Sequence, residues 1–334
     1  MDHWEQGLSS DHYTSSAHFK YEIDHIILRN WMFLCPSEAV NVGNYIQLEL
    51  ANLPVVVSRS ENESVFAFIN VCPHRGAPLL KSESGKIPKK LTCPYHGLVF
   101  NSQGPRQGDA LGECNLRLRS FQILELNGMI FGKLNSDIEF FDFFAGIESQ
   151  WSEFISLSDQ YEYNSQLILN GHFNWKLFVE AFQECYHCPT IHKGLSKEFQ
   201  LKSYRIQNFH NFSVHYCQRG ASRNETGKSP GEWYWLYPNI GIPVYENKFY
   251  VINVNPVSVN RTELRYDFFT KKNCKKDIEK FIDFVKVLGK EDIAICEAVQ
   301  SNLEKDAIDY SMINKRRENG VEYFYALIRK ELNL

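Results

Sequence analysis

Two short stretches each bring a thiol and an imidazole into one tight turn. They read Cys72-Pro-His74-Arg-Gly and Cys93-Pro-Tyr-His96-Gly. Pro73 and Pro94 stiffen the turns, and Gly76 and Gly97 let the backbone approach a buried centre. Two soft thiolates and two imidazoles suit either zinc or an iron–sulfur cluster. A structural Cys2His2 zinc site pairs its cysteines together and its histidines together. Here each turn supplies one of each. That division suits a cluster with two inequivalent irons, one held by thiolates and the other by imidazoles.

A second concentration of ligand chemistry runs from Asn174 to His192. Its pattern predicts a helix over residues 175–187, with Glu180, Glu184 and His187 on one face. Pro189 disfavours helix at Cys188 and is expected to break it there. Such a break could swing His192 back to meet His187. Two neutral imidazoles and a carboxylate form the facial triad of non-haem Fe(II) oxygenases, with positions left open. The carboxylate must come from elsewhere, and Asp292 is the candidate. In a helix over residues 291–303 the apolar stripe is Ile295, Cys296, Val299 and Leu303, with Ile293 at its edge. Asp292 falls in the middle of that stripe, where a carboxylate is rare unless paired or metal-bound. On spacing alone, helix capping by Asp292 and a pair of satisfied core histidines remain the alternatives.

These residues also carry a resemblance. Asn70-Val-Cys-Pro-His-Arg-Gly-Ala-Pro-Leu and Leu91-Thr-Cys-Pro-Tyr-His-Gly-Leu-Val-Phe resemble the Rieske motif of ring-hydroxylating-type oxygenase α subunits. Asn174-Trp-Lys, followed by Glu184-Cys-Tyr-His187 and His192, is similar to the iron motif of that family. Glu291-Asp292-Ile and Glu297-Ala-Val-Gln300 resemble its C-terminal motif, in which the Asp is the third iron ligand. The resemblance implies a Rieske [2Fe–2S] cluster on Cys72, His74, Cys93 and His96, and mononuclear Fe(II) on His187, His192 and Asp292. In most members the residue matching Glu184 is an Asp that bridges the two centres across a subunit interface. Glu stands there in the carnitine monooxygenase branch, as it does here, which implies an electron relay through Glu184. Gly231-Glu-Trp-Tyr-Trp-Leu-Tyr-Pro-Asn239 resembles the matching stretch of the choline, glycine-betaine and carnitine branch. Trp233, Trp235 and Tyr237 are therefore candidates for a cation–π cage around a quaternary ammonium group. Packing of the sheet competes with that reading, because alternate strand residues point to opposite faces.

The elements that must position these groups change character along the chain. Short β-rich runs such as residues 55–57 and 65–69, separated by the polar segment 58–64, dominate from about Tyr45 to Leu134. Asn127-Gly128 is a hairpin signal, and Gly and Pro punctuate residues 73–112. Strand-like runs are predicted at residues 209–217, 233–237, 248–255 and 262–270, and a helical third begins near Lys275. Two domains follow from this, an all-β module and then an α+β module. By resemblance they are a Rieske domain and a catalytic domain whose antiparallel sheet wraps around helices in helix-grip fashion. The expected boundaries are 1–40 for an N-terminal segment packed on the catalytic domain, 41–138 for the Rieske domain and 139–334 for the catalytic domain.

The 334 residues are 43% hydrophobic and 23% charged, with a formal net charge of −4. No basic stripe suggests nucleic-acid binding, and the Lys271–Lys272 and Lys275–Lys276 pairs read as a solvated face. No run of about 18 apolar residues suggests a membrane span. The start, Met-Asp-His-Trp-Glu, has no apolar leader region, so a cytoplasmic location is expected. Nine cysteines are too few for a disulfide scaffold, and in a reducing compartment paired Cys and His read as metal ligands. The resemblance implies a homotrimeric terminal oxygenase that hydroxylates a small organic substrate with O2. If the carbon neighbours nitrogen, demethylation or C–N cleavage follows. Electrons are expected from a separate NAD(P)H-dependent flavin and iron–sulfur reductase or a ferredoxin, since no nucleotide-binding Gly-rich motif is present. The alternative is a non-catalytic Rieske electron-transfer or redox-sensing protein, which would need no iron at His187 and His192.

Overall fold

The β-rich runs on either side of the polar segment 58–64 pair antiparallel, as Leu53–Arg59 beside Val65–Ile69. Asn44–Leu50 and Ser84–Lys86 complete a four-stranded sheet. Asn127 and Gly128 both take left-handed backbone, φ 54° and 72°, as a two-residue hairpin requires. They join Gln122–Leu126 to Met129–Lys133. The other edge of Met129–Lys133 is taken by Met32–Pro36, every residue of which is buried. The computed structural model describes residues 3–101, 116–156, 160–218, 231–245, 247–272, 274 and 278–333. Lys275–Lys276 and residues 102–112 of the Gly- and Pro-punctuated stretch lie outside them.

The chain divides into two compact units, Leu28–Asp137 and Met1–Ile27 with Ile138–Leu334. The expected boundary at residue 40 thus falls at residue 27. Met32–Pro36 completes a sheet whose other strands lie in the first unit, so sheet pairing outweighs sequence proximity to the N-terminal segment.

The larger unit is built on a seven-stranded antiparallel sheet. The chain enters at one edge with Tyr161–Gly171, crosses through helices, and resumes at the other edge with Arg205–Asn208. It returns strand by strand through Phe212–Tyr216, Glu232–Leu236, Ile240–Tyr245 and Lys248–Ser258 to Arg261–Lys271, which pairs with the first strand. Ile240–Tyr245 was not predicted as a strand because Gly241 and Pro243 interrupt its pattern. Its ladder with Lys248–Ser258 is broken between Gly241 and Val244, where Pro243 has no N–H to donate. Helix Trp175–Phe182 lies against Lys248–Ser258, and helix Ile278–Leu303 lies against Tyr161–Gly171 and against the first helix.

The N-terminal segment is fastened to this unit by charge as well as by the pairing of Trp4–Ser9 with Tyr310–Asn314. Lys176 Nζ donates to Glu22 Oε1 at 2.8 Å and Oε2 at 2.7 Å, and both side chains are wholly buried. Trp175 Nε1 donates to the same carboxylate at 3.2 Å, and the Tyr13 ring lies 5.2 Å from the ammonium. Burial pulls the Lys176 pKa down, and Glu22 opposes that. A buried pair adds little net stability over apolar packing, but breaking it strands a charge. Glu22→Ala is therefore expected to destabilise the protein by about 3–5 kcal/mol. Glu22→Leu with Lys176→Met should recover most of that loss. Denaturant midpoints of the two variants measure the difference, and equal midpoints would refute it.

Candidate metal centres

Within the smaller unit the two predicted turns are near copies of each other. Gly76 N–H donates to Cys72 O at 2.9 Å and Gly97 N–H to Cys93 O at 3.0 Å. Each turn is then closed in the reverse sense, Cys72 N–H to Ala77 O at 2.8 Å and Cys93 N–H to Leu98 O at 2.7 Å. Gly76 and Gly97 adopt φ of 78° and 71°, a left-handed conformation that costs glycine nothing. The turns bury both thiols and leave both imidazoles exposed. The His74 and His96 rings meet edge to face, 4.7 Å between centroids. Burial pushes the Cys72 thiol up, although the His74 and Arg75 amides oppose it. Burial also acts to raise Cys93, but the Tyr95 amide, the Cys72 thiol and the His96 amide outweigh it and bring it down. Backbone N–H groups thus aim at both sulfurs, as thiolate ligands require. Two sheltered sulfurs and two outward imidazoles fit a cluster with one all-thiolate and one all-imidazole iron.

In the larger unit helix Trp175–Phe182 starts where Asn174 Oδ1 accepts the Lys176 N–H at 3.1 Å. It ends at Gln183, four residues earlier than its pattern predicts. Glu184 carboxylate takes the place of further helix. Its Oε2 accepts the N–H groups of Tyr186 and His187, and its Oε1 accepts from His187 Nδ1. Glu184 and His187 are therefore joined by a carboxylate-capped turn, not by a shared helix face. Pro189 does not end a helix but begins one, Cys188–Ile191, because a first-turn residue needs no N–H partner. A disulfide between Cys185 and Cys188 closes the loop that carries Tyr186 and His187.

The short helix brings His192 to His187, with their Nε2 atoms 3.1 Å apart. Asp292 Oδ1, from helix Ile278–Leu303, lies 3.0 Å from His192 Nε2 and 3.6 Å from His187 Nε2. Each imidazole turns its other nitrogen to a carboxylate. His187 Nδ1 meets Glu184, and His192 Nδ1 meets Glu291 Oε2 at 2.8 Å. Neutral imidazoles that donate through Nδ1 have bare Nε2 lone pairs. Two such lone pairs and a carboxylate oxygen then face one another at close range, which is repulsive unless a cation lies among them. Burial acts to lower the His192 pKa, but Asp292 and Glu291 outweigh it and hold it above the ordinary value. The donor set of two nitrogens and one oxygen fits non-haem Fe(II). Glu291 was not singled out as a contributor, although its place beside Asp292 was the available signal. Ile295 and Val299, expected on the core stripe, are 40% and 39% exposed, while Cys296 and Leu303 are buried.

A cavity of about 100 Å³ opens on His187, His192 and Asp292, smaller than the range for drug-sized ligands. Phe182, Tyr204, Trp233, Tyr245, Tyr250 and Tyr266 supply aromatic walls. Pro243, at the break in the sheet ladder, contributes to the same wall. Gly289 lies one turn before Asp292, and a Cβ there would stand 2.7 Å from the Tyr266 hydroxyl. Of the candidate cage residues, Trp233 lines this cavity, whereas Trp235 and Tyr237 do not. Trp235 is two residues further along the same strand face, fully buried and edge-on to Phe324 and Tyr237. Strand rise carries it past the cavity.

Separable ligand sets have a direct consequence. His187→Ala is expected to lower bound iron by about one atom per chain while the visible absorption of the cluster persists. Cys72→Ser should remove that absorption. Iron, sulfide and spectral analysis of both variants checks this. Loss of the visible bands in His187→Ala would show that the sets are not independent.

Residues 158–333 match the family model for the ring-hydroxylating alpha subunit (catalytic domain), and residues 30–121 match that for the Rieske [2Fe-2S] domain. The carnitine monooxygenase oxygenase subunit of Acinetobacter baumannii is 27% identical, over 95% of this chain and 92% of its own length. The chloroplastic choline monooxygenase of Spinacia oleracea is 25% identical, over 97% of this chain and 77% of its own. Among solved structures, the quaternary ammonium Rieske monooxygenase CntA with L-carnitine shares the fold with a TM-score of 0.83. That match has 24% identity and covers 99% of this chain and 96% of the other. A naphthalene 1,2-dioxygenase variant with phenanthrene shares it with a TM-score of 0.81 and 19% identity, over 98% and 93% of the two chains. This chain belongs to the ring-hydroxylating alpha-subunit family, the Rieske non-haem iron oxygenases, which carry a [2Fe–2S] cluster and a mononuclear iron.

Proposed function

We propose that this chain is the terminal oxygenase of a system that hydroxylates a small quaternary ammonium compound next to its nitrogen. The observation that carries the reading is the wall of the cavity at His187, His192 and Asp292. Its described lining holds seven aromatic rings, from Phe178, Phe182, Tyr204, Trp233, Tyr245, Tyr250 and Tyr266, and no Lys or Arg. Of its histidines, His215 has a pKa pushed down by burial to about 3 and is neutral at pH 7. Aromatic faces and the carboxylates of Glu184 and Asp292 favour a cation without a counter-charge to repel it. The carnitine and choline monooxygenase relatives agree with this choice of substrate class.

In this reading His187, His192 and Asp292 hold the iron, and Cys72, His74, Cys93 and His96 hold the cluster. When bound, these groups supply O2 reduction and the electrons for it. The balanced change is one C–H bond, one O2, two electrons and two protons to one C–OH and one water. A hydroxyl on an N-methyl carbon collapses to a demethylated amine and an aldehyde. Glu184 fixes the tautomer and direction of His187, and Glu291 does so for His192, as carboxylates do for imidazole ligands. The aromatic walls exclude water and hold the substrate's ammonium group.

Electrons enter from a reductase or ferredoxin, and a flavin reductase driven by NAD(P)H fits a cytoplasmic site of action. We assign Glu184 the relay from the cluster of a neighbouring subunit in a homotrimer. The surface at Glu184 and His187 supports that role. It carries Ile295, Val299 and Met312, which are 40%, 39% and 48% exposed. Apolar exposure of that kind marks a face that another protein covers.

With a surrogate reductase, O2 uptake is expected to couple to quaternary amines and not to aromatic acids. Failure of every amine in the panel would remove the substrate assignment. Glu184→Gln should slow coupled turnover by about tenfold or more, with both metal sites still loaded. Unchanged turnover would remove the relay role from Glu184.

A further inference from the structure

Beyond the ammonium-binding wall, the cavity contains one polar constellation that the reaction as described leaves unused. Tyr204 and His215 both line it. The Tyr204 hydroxyl lies 2.9 Å from His215 Nδ1, and His215 Nε2 lies 2.9 Å from Gln183 Oε1. Ser213 Oγ donates to the same Gln183 oxygen at 2.9 Å and lies 3.2 Å from His215 Nε2. His215, Ser213 and Gln183 are at most 1% exposed. They come from three places in the sequence, and only the pairing of Arg205–Asn208 with Phe212–Tyr216 and the end of helix Trp175–Phe182 assemble them.

With the Gln183 amide oxygen turned to His215, the directions of the hydrogen bonds follow. An amide oxygen only accepts, so His215 Nε2 carries the ring proton toward Gln183. Nδ1 of a neutral ring is then bare and accepts the Tyr204 O–H. The phenol proton is thereby engaged by His215, and the phenol oxygen keeps its lone pairs. Tyr204 is an acceptor held in place by three buried groups.

We infer that Tyr204, positioned by His215 and Gln183, is a specificity residue that accepts a hydrogen bond from a hydroxyl on the substrate. This rests on the quaternary ammonium reading and narrows it to hydroxyalkyl ammonium compounds that lack a carboxylate. A substrate carboxylate has no proton to give Tyr204. It would also meet the carboxylates of Glu184 and Asp292 with no Lys or Arg among the described lining residues. A buried acceptor left without its donor discriminates against the wrong ligand.

The test compares kcat/KM for choline, n-propyltrimethylammonium and L-carnitine, by coupled O2 uptake with the metal-loaded enzyme. n-Propyltrimethylammonium replaces the hydroxyl with a methyl of similar size. The wild-type enzyme is expected to favour choline over each of the other two by roughly tenfold. Tyr204→Phe should bring the ratio of choline to n-propyltrimethylammonium close to one. His215→Leu keeps the phenol but removes its acceptor, and should lower the same ratio by raising KM for choline more than it lowers kcat. The wild-type ratios test the inference even where a variant does not fold. Turnover of all three compounds with equal kcat/KM, a preference for L-carnitine, or a choline preference that survives Tyr204→Phe would overturn the role of Tyr204 while leaving the ammonium reading intact. Uptake coupled to none of the three would overturn both.

Discussion

Two imidazole nitrogens held 3.1 Å apart set the terms for the larger unit. Asp292 Oδ1 joins them at 3.0 and 3.6 Å. When both rings are neutral and donate through Nδ1, lone pairs so placed repel, and a cation at their meeting point relieves them. What keeps them there is the set of groups behind them. Glu184 and Glu291 hold the far nitrogen of each ring and so decide which nitrogen is bare. Folding work done by those carboxylates and by the backbone becomes metal affinity when the ion binds.

The same residues explain the irregular backbone between helix Trp175–Phe182 and helix Cys188–Ile191. A continued helix would carry His187 and His192 onto different faces. Stopping it leaves amide groups without intrahelical partners, and the Glu184 carboxylate accepts two of them. The disulfide of Cys185 and Cys188 then limits how far the loop can open. One carboxylate thus caps a turn and orients the His187 ring. Glu in place of the more common Asp is long enough to do this from within the loop.

Sheet and helices divide the remaining tasks. Helix Ile278–Leu303 brings Asp292 to the histidines and, through Gly289, admits Tyr266 to the cavity. Pro243 interrupts the ladder where the cavity wall requires it. Helix Trp175–Phe182 is anchored at its start by Lys176 and Glu22, so the ligand loop at its other end has a fixed origin. Position at the site therefore depends on a buried ion pair at the far end of that helix.

Much of this was legible in the residues alone. Both Cys-Pro turns, both histidines of the candidate metal site and Asp292 stood out, because ligand chemistry restricts residue type and local spacing, and both are properties of sequence. The hairpin at Asn127-Gly128 was legible for the same local reason. Other features were not. The helix end at Gln183 and the helix start at Pro189 depended on where Glu184 could find amide groups. Trp233 reaches the cavity and Trp235 does not, although both share a strand face, because only the position along the sheet separates them. Tyr204, Gln183 and His215 carry no motif, and their alignment exists only once one strand pair and one helix end meet. The sequence by itself determined which atoms could bind metal. Which nitrogen of each histidine turns to its carboxylate, and which aromatic rings line the cavity, came only with the fold, since both depend on partners distant in the chain.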